Sequence, residues 1–488
     1  MNDTYRYALI VLFASAVGML AVLANRLTER VKVPVPLLVL AGAAVAVNAL
    51  PALPPPAEQT VERVITLALV LVLFEGGMHI GWSRFRAAMV PIASVGVVGT
   101  FLTAAGAALV LHFVAAISWY PALLVATAVA PTDPAVVFSV LGRREIAGRS
   151  GTILEGEAGV NDPVGIALMA GLITAGGLSA AGFASVGAQF LLQMVIGATV
   201  GIVGGRTLLL FIRRVPLPGE GLYPLRTLAS SLMLYAIATL AHGSGFLAVF
   251  AAGIVIGDAR APYKAEVERF HAALAGLAEI VAFAVLGLTV DLRVLGHPDV
   301  WLPGLVLGAA LTLVIRPLGV GACLLPARLQ RNERGFILFA GLKGAVPILL
   351  GEVLRAAHVP QTERLYGIVV VVVAFSVLVQ GSSVPAVARL LHLPMRTVDP
   401  EPWAIGIRLR DEPHGVHRLT VASGSSVEGW TIEELGDHAG DIWVSIVVRT
   451  SGLVPARAET ELQAGDDVVI LADPALGDTL TALFRPSS

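Results

Sequence analysis

The stretch LEGEAGVNDPVGIALM, residues 154–169, places polar and charged side chains at the start of an apolar run. An ionisable side chain at the centre of a bilayer costs about 2.5–3.5 kcal/mol on insertion scales and is by default a functional-site hypothesis. Glu157 and Asn161 are four residues apart and share a helix face, with Asp162 beside them. We interpret Asp162 as a functional carboxylate, whereas Glu157 better fits a structural carboxylate paired with a base.

The composition indicates that the medium around this stretch is a lipid bilayer. Of the 488 residues, 56% are hydrophobic and only 14% are charged, whereas soluble domains carry about a quarter of charged residues. The mean hydropathy is +0.81. The formal net charge of −2 gives no indication of a nucleic-acid partner. With a single cysteine, Cys323, the chain cannot form an internal disulfide.

Apolar runs of roughly twenty residues predict about thirteen transmembrane spans. They lie near residues 7–25, 35–50, 61–80, 88–115, 119–141, 152–176, 185–212, 222–241, 243–257, 271–290, 301–325, 333–355 and 365–391.

The loops between these runs predict the orientation of the chain. Basic residues follow the odd-numbered spans, as at Arg84 and Arg86, whereas the loops at 51–60 and 175–185 contain no Lys or Arg. Because basic loops stay on the cytoplasmic side, we expect a protein of the cell (inner or plasma) membrane. Its N-terminus is expected outside and its C-terminus in the cytoplasm, which requires an odd number of spans.

Span five contains the motif VAPTDPAVV, residues 129–137. Proline cannot donate to the helix ladder and clashes with the preceding turn, so Thr132 and Asp133 stand at a predicted helix break. A broken membrane helix frees carbonyls and helix ends that can bind ions. The alternative is a simple kink with a hydrogen-bonded aspartate, and the motif alone does not separate the two.

Span twelve contains a second interrupted motif, FAGLKGAVPILLG, residues 339–351. If span seven links two inverted halves, span twelve corresponds to span five, and the two form crossed discontinuous helices. Lys343 and Arg316 would then supply counter-charge at the unwound ends, or would pair with structural glutamates such as Glu157.

A carboxylate in a membrane cavity suggests secondary transport. It can hold a proton or a dehydrated monovalent cation but not both, and this exclusion couples opposing fluxes. Because Asn161 cannot carry a proton, one carrier carboxylate predicts electroneutral 1:1 exchange. No phosphate-binding loop or phosphorylated-aspartate signature indicates a pump or an enzyme. An ion channel gated by the C-terminal region and a sensor or scaffold with purely structural charges are the other classes.

Together, APTDPAVV, EGEAGVNDPVGIAL and GLKGAVPI, in this order and spacing, resemble the monovalent cation:proton antiporters, in the electroneutral branch that has an Asn-Asp pair. The resemblance covers residues 1–395 as a transmembrane exchanger domain. It implies thirteen spans with inverted repeats, a homodimer in the lipid bilayer, a six-helix core domain and elevator-like alternating access. The exchanged ions would be K⁺ (or Na⁺) and H⁺, with no cofactor.

The resemblance also implies roles for single residues. Asp162 would be the central carrier of cation and proton. A monovalent cation would bind at Asp162, Thr132 and Asp133, with Asn161 and Glu157 at or beside this site. Glu75, in LFEGG, matches a nearby glutamate of the family. Where the third motif of the family usually has arginine, this chain has Lys343.

From about residue 402 the pattern changes to short β-branched runs separated by turn residues, as in DIWVSIVV. This predicts a small cytoplasmic α+β domain over residues 402–486, with Thr431 as an N-cap and Glu434 three residues later. The segment LQAGDDVVIL resembles the C-terminal subdomain of potassium-conductance regulators. That resemblance favours K⁺ over Na⁺ and implies a regulatory domain. In relatives this subdomain can bind small nucleotides such as cyclic di-AMP, and the sequence leaves open whether this chain does.

Overall fold

A computed structural model of the chain describes residues 18–19, 35–49, 55–141, 144–146, 149–177, 179–259, 261–357, 359–393, 395–397, 415–440, 442–449, 452–473 and 476–486. The chain divides into two compact units, Met1–Asp399 and Pro400–Ser488.

The first unit is helical. Its helices are α1 (Val35–Ala49), α2 (Glu58–Ala93), α3 (Thr100–Phe113), α4 (Trp119–Ala128), α5 (Pro134–Leu141), α6 (Arg149–Ala175), α7 (Ala180–Arg214), α8 (Leu222–Leu240), α9 (Gly245–Gly257), α10 (Lys264–Gly287), α11 (Leu292–Leu295), α12 (Pro298–Ala310), α13 (Arg316–Cys323), α14 (Arg331–Phe339), α15 (Ala345–Ala356), α16 (Thr362–Phe375) and α17 (Ser382–Leu390).

The lengths of these helices confirm a helical, multi-span membrane protein. Within the described residues, six helical segments are long and apolar enough to cross a membrane, and α1, α4 and α9 are shorter apolar helices. The six are Glu58–Phe113, Arg149–Ala175, Ala180–Arg214, Lys264–Gly287, Pro298–Cys323 and Thr362–Leu390. The count of thirteen spans remains a prediction, and the span near 7–25 lies outside the described residues except for 18–19.

The spans predicted near 61–80 and 88–115 follow one another without a loop. Helix α2 changes direction at Gly81, whose φ of 67° and ψ of 166° are not helical. A side chain at Gly81 would overlap the carboxylate of Asp258, which accepts a hydrogen bond from the Ser83 amide. Glycine is required here both by the positive φ and by the close approach of α9.

Two helices are interrupted where the sequence predicts breaks. Residues 129–133 separate α4 from α5, and residues 340–344 separate α14 from α15. By contrast, α6 continues through Pro163.

Three π-helical turns, which the sequence did not indicate, interrupt other helices of this unit. They are Ser94–Gly99 between α2 and α3, Leu311–Ile315 between α12 and α13, and Ser376–Gly381 between α16 and α17. Such turns insert an extra residue into a helix and occur often at functional sites.

A two-stranded ribbon joins the loop before α6 to the segment after α17. Strand β1 (Arg144–Ile146) pairs antiparallel with β2 (Met395–Thr397), and Glu145 lies opposite Arg396. The chain that leads toward the second unit is therefore bonded to the loop between α5 and α6.

The second unit is the predicted small α+β fold as far as it is described, and residues 402–414 lie outside the described part. Its elements are β3 (Val416–Thr420), α18 (Ile432–Ala439), β4 (Ile442–Arg449), β5 (Gly452–Val454), β6 (Asp467–Ala472) and α19 (Gly477–Phe484). The antiparallel sheet has the order β3-β6-β4-β5. The predicted capping box is confirmed: the Glu434 amide donates to Thr431 Oγ1 and the Thr431 amide donates to Glu434 Oε2.

The turn into β6 is held by a buried carboxylate. Asp466 is fully buried and accepts two hydrogen bonds from Arg449, at 2.8 and 2.7 Å, and one from the Gln463 amide. The Arg449 guanidinium lowers the pKa of Asp466 from its ordinary value. Because the folded pKa lies below the unfolded one, this stabilisation is complete above the unfolded pKa and is lost as the pH falls through the folded pKa.

We therefore predict that Asp466→Asn destabilises the second unit by about 1–3 kcal/mol at neutral pH, since a buried charge-assisted network is broken. Hydrogen exchange of the β6 amides in the full chain measures this, and the difference from the native chain should shrink as the pH approaches the folded pKa. Asp467→Asn is the matched control, because the neighbouring carboxylate of Asp467 is partly exposed and pairs with the exposed Arg418. Equal loss of protection in the two variants would contradict the assignment.

Candidate ion-binding site

The two interrupted helices meet at their breaks. The Asp133 amide, at the end of the first break, donates a hydrogen bond of 2.8 Å to the carbonyl oxygen of Leu342 in the second break. Non-helical backbone inside a membrane must find its hydrogen-bond partners within the protein. This bond joins the two segments, and it satisfies the Asp133 amide and the Leu342 carbonyl, which lie outside their helices.

Lys343 compensates the end of α4. Its ammonium is buried and donates to the carbonyl oxygens of Ala130, at 2.9 Å, and Pro131, at 3.1 Å. A cation is favourable beside the negative end of a helix. This is the counter-charge arrangement expected from the sequence.

Arg316 combines the two arrangements that the sequence left open. It forms a bidentate ion pair with Glu157, at 2.7 and 2.8 Å, and both side chains are almost fully buried. It also donates to the carbonyls of Leu338 and Ile337 in the last turn of α14. Arg316 thus pairs with the structural glutamate and compensates a helix end at the same time.

Thr132 and Asn161 extend this network toward Asp162. Asn161 Nδ2 donates to Thr132 Oγ1 at 2.7 Å, and the Thr132 hydroxyl is 3.4 Å from Glu157 Oε1. The hydrogen bond from Nδ2 orients the side-chain amide of Asn161, and the amide oxygen has no hydrogen-bond partner among the described residues. The same holds for Oδ1 of Asp162, which is 8% exposed.

Asp162 and Asp133 line a cavity of about 430 Å³. Glu75 on α2 and Glu279 on α10 line it too, so acidic side chains come from both the interrupted-helix region and the helices packed beside it. His79, Arg84 and Glu155 contribute to the same wall. Carboxylate oxygens are hard ligands that suit alkali-metal ions.

The structure separates the predicted site residues into groups. Asp162, Asp133 and Glu75 face the cavity. Thr132, Asn161 and Glu157 are not among its lining residues and form the buried network behind it. Arg316 and Lys343 line a second, much smaller void. No cluster of three or more His, Cys, Asp or Glu side chains in the described ranges has the spacing of a metal site.

Sequence reasoning did not identify His79 or Glu155. It includes Glu279 only as an ionisable residue within a predicted span, which makes it a candidate by default, and gives it no specific role. Glu279 has an apolar neighbourhood, LAEIVAF, without a motif. His79 follows Glu75 by four residues on one helix, and this spacing was a signal that could have identified it. The His79 ring lies 3.4 Å from the Glu155 carboxylate.

The chain matches known proteins over most of its membrane unit. The family model described as sodium/hydrogen exchanger, transmembrane, matches residues 13–390. The K(+)/H(+) antiporter NhaP of Alkalimonas amylolytica is 36% identical over 331 residues, 67% of this chain. The K(+)/H(+) antiporter NhaP2 of Shewanella oneidensis is 31% identical over 440 residues, 87% of this chain. The chain spans 57% and 74% of the length of these two relatives.

A solved structure shares the fold. The sodium proton antiporter MjNhaP1 from Methanocaldococcus jannaschii superposes with a TM-score of 0.65 at 21% sequence identity, over 77% of this chain and 99% of that chain.

The ion pair between Glu157 and Arg316 generates a prediction about stability. We expect Arg316→Met to cost about 3–5 kcal/mol, because it leaves Glu157 buried without its partner. The double variant Glu157→Gln with Arg316→Met should recover part of this loss, since no uncompensated charge remains, while the carbonyls of Leu338 and Ile337 still lack their donor. Thermal unfolding in detergent and the monodisperse fraction measure both.

Glu268→Gln is the control, since it removes a partly exposed pair with Lys264 and should change stability by less than about 1 kcal/mol. If the double variant were as unstable as Arg316→Met, charge pairing would not explain the role of Glu157.

Proposed function

Because the chain belongs to the sodium/hydrogen exchanger family, we propose that it exchanges a monovalent cation for a proton across a membrane, with Asp162 as the shared carrier. The observation that carries this proposal is the position of Asp162. This buried carboxylate, one oxygen of which has no partner in the described part of the chain, faces a cavity large enough for a hydrated ion.

Coupling follows from competition for one carboxylate. A proton on Asp162 removes the negative charge that the cation requires, and a bound cation excludes the proton. Each ligand can therefore cross only when the other has left. Asp133 and Glu75 face the same cavity and are the further oxygen ligands in this proposal, while Thr132 and Asn161 position the site from behind.

The proposal includes an orientation and alternating access. Arg84 and Gly151, which line the cavity, lie next to the basic loops that the sequence predicts to be cytoplasmic. On that topology, with the N-terminus outside and the C-terminus inside, the cavity opens to the cytoplasm. Movement of the interrupted helices against the helices that carry Glu75 and Glu279 would expose Asp162 to the other side.

We propose K⁺ as the preferred cation. Two relatives are named K(+)/H(+) antiporters, and the tail resembles a subdomain of potassium-conductance regulators. Na⁺ is the alternative, favoured by the description of the family. Ion uptake by proteoliposomes with K⁺ or Na⁺ as the sole cation decides between them.

The proposal extends to partners. A homodimer in the lipid bilayer is the proposed assembly, and the second unit is the proposed regulatory domain, with a small nucleotide such as cyclic di-AMP as its proposed ligand. No cofactor takes part in the proposed exchange.

We predict that Asp162→Ala abolishes cation-dependent proton movement in proteoliposomes while the protein remains folded, because the shared carboxylate is gone. Dye-reported pH change upon addition of K⁺ or Na⁺ measures the exchange. Asp299→Asn is a control for the loss of an acidic residue, since Asp299 is 61% exposed and pairs only loosely with Arg364.

Exchange that persists in Asp162→Ala would refute the central assignment. In the native chain, cation flux without proton movement would favour a channel, and the absence of any flux would favour a sensor or scaffold.

Electroneutral exchange is the prediction for stoichiometry. One carrier carboxylate moves one proton against one monovalent cation, and Glu157, held in a bidentate pair with Arg316, takes no part in the proposed exchange. A net charge moving through 100 mV would gain about 2.3 kcal/mol, so an electrogenic cycle would respond clearly to voltage. An imposed membrane potential without a pH gradient should drive no net cation uptake, and uptake driven by that potential alone would contradict a single carrier.

A further inference from the structure

A polar cluster adjoins the interrupted segment 340–344, and its residues are not among those that line the cavity. It consists of Thr312, Ser376 and Gln380, and all three belong to π-helical turns. Ser376 and Gln380 are almost fully buried. Neither residue belongs to the motifs that indicate the exchange reaction, so their burial in an apolar helix requires an explanation.

Gln380 uses both ends of its amide. Its oxygen accepts hydrogen bonds from Thr312 Oγ1, at 3.1 Å, and from Ser376 Oγ, at 3.0 Å. Its nitrogen donates to the carbonyl oxygen of Phe339. These donors and acceptors are consistent with only one orientation of the amide. A single side chain therefore ties the turn after α12 and the turn after α16 to the last residue of α14.

Ser376 carries the connection to Lys343. Its hydroxyl oxygen accepts a hydrogen bond of 3.0 Å from the Lys343 amide while its proton goes to Gln380. The segment 340–344 is thus held at its start through the Phe339 carbonyl and near its end through the Lys343 amide. Gln380 makes the first attachment itself, and it orients the second by accepting the proton of the Ser376 hydroxyl.

The segment 340–344 in turn positions the backbone of the other interruption, residues 129–133. The Leu342 carbonyl accepts from the Asp133 amide, and the Lys343 ammonium binds the carbonyls of Ala130 and Pro131. The position of Asp133 at the cavity wall is therefore fixed by a segment that Gln380 fixes.

Water cannot replace these bonds readily. The void lined by Thr312, Ser376, Gln380, Lys343 and Arg316 measures about 10 Å³, which is at the lower limit for a single water molecule. A side chain that lost its hydrogen bonds here would leave buried partners unsatisfied, and the segment would have to move to satisfy them.

We infer that Gln380 is a positioning residue for cation binding: it holds the segment 340–344, and through Leu342 and Lys343 it holds the backbone at Asp133. The inference rests on the proposed exchange at Asp162 and extends the site to a residue of the π-helical turn Ser376–Gly381, which does not line the cavity. Gln380 does not touch the cation.

The test compares Gln380→Met, which keeps the length of the side chain but removes all three hydrogen bonds, with the native chain in proteoliposomes. Because the variant holds the segment 340–344 and the backbone at Asp133 less tightly, we expect the apparent KM for K⁺ to rise about tenfold, which corresponds to about 1.4 kcal/mol. The maximal rate per folded protein should fall less than the KM rises.

Ser376→Ala is the second variant, since it removes the acceptor for the Lys343 amide and leaves the bonds of Gln380 to Thr312 and Phe339 in place. It should raise the apparent KM in the same direction, and it decides the question if Gln380→Met does not fold. Ser382→Ala is the matched control on the neighbouring exposed turn, where the hydroxyl bonds only to carbonyls of its own helix. Its KM should stay within about twofold of the native value.

An unchanged KM in Gln380→Met and Ser376→Ala, with a rate that falls only in proportion to the folded fraction, would overturn the inference and leave Gln380 a structural residue. Asp162→Ala, measured in parallel, separates this failure from that of the proposed function. If Asp162→Ala still exchanges, the carrier assignment fails. If Asp162→Ala does not exchange, the KM values of Gln380→Met and Ser376→Ala decide on the role of Gln380 by themselves.

Discussion

The hydrogen bonds from Lys343 to the carbonyls of Ala130 and Pro131 address the main physical constraint on this fold. An interrupted helix within a bilayer exposes polar backbone that neither lipid nor bulk water can satisfy. Each interruption here is compensated by a cation from elsewhere in the chain: Lys343 serves the end of α4, and Arg316 serves the end of α14. The two breaks then satisfy one another through Asp133 and Leu342.

These compensations divide the intramembrane charges into two sets. Glu157, Arg316 and Lys343 have partners within the protein and are not among the residues that line the cavity. Asp162, Glu75 and Glu279 face the cavity. In the proposed exchange the carrier side chain cannot also be held by a permanent partner, and one oxygen of Asp162 has no partner among the residues that the structure describes. The network from Asn161 through Thr132 to Glu157 fixes the neighbour of Asp162 without using Asp162 itself.

Local features of the sequence predicted much of this arrangement. Proline and glycine beside Asp133 and Lys343 indicated both breaks, and the apolar runs indicated the helices around them. Long-range packing decided the rest. The pairing of Arg316 with Glu157 spans 159 residues, and Glu279 reaches the cavity only because α10 packs against α2. The π-helical turns and the ribbon of β1 with β2 have no periodicity or turn signal of their own. The role inferred for Gln380 depends on contacts between two of these turns, so no sequence motif predicted it.

The abrupt change of direction at Gly81 has a mechanical consequence. Glu75 lies on one side of this residue, and the helix that continues through the π-helical turn at Ser94–Gly99 lies on the other. Since a helix rises about 1.5 Å per residue, the segment from Trp82 to Phe113 is a rod about 48 Å long. At that length, a difference of about 10° in the bend at Gly81 displaces the far end by about 8 Å, which is more than one helical turn. The torsion angles of one glycine therefore set where the end of α3 lies relative to Glu75.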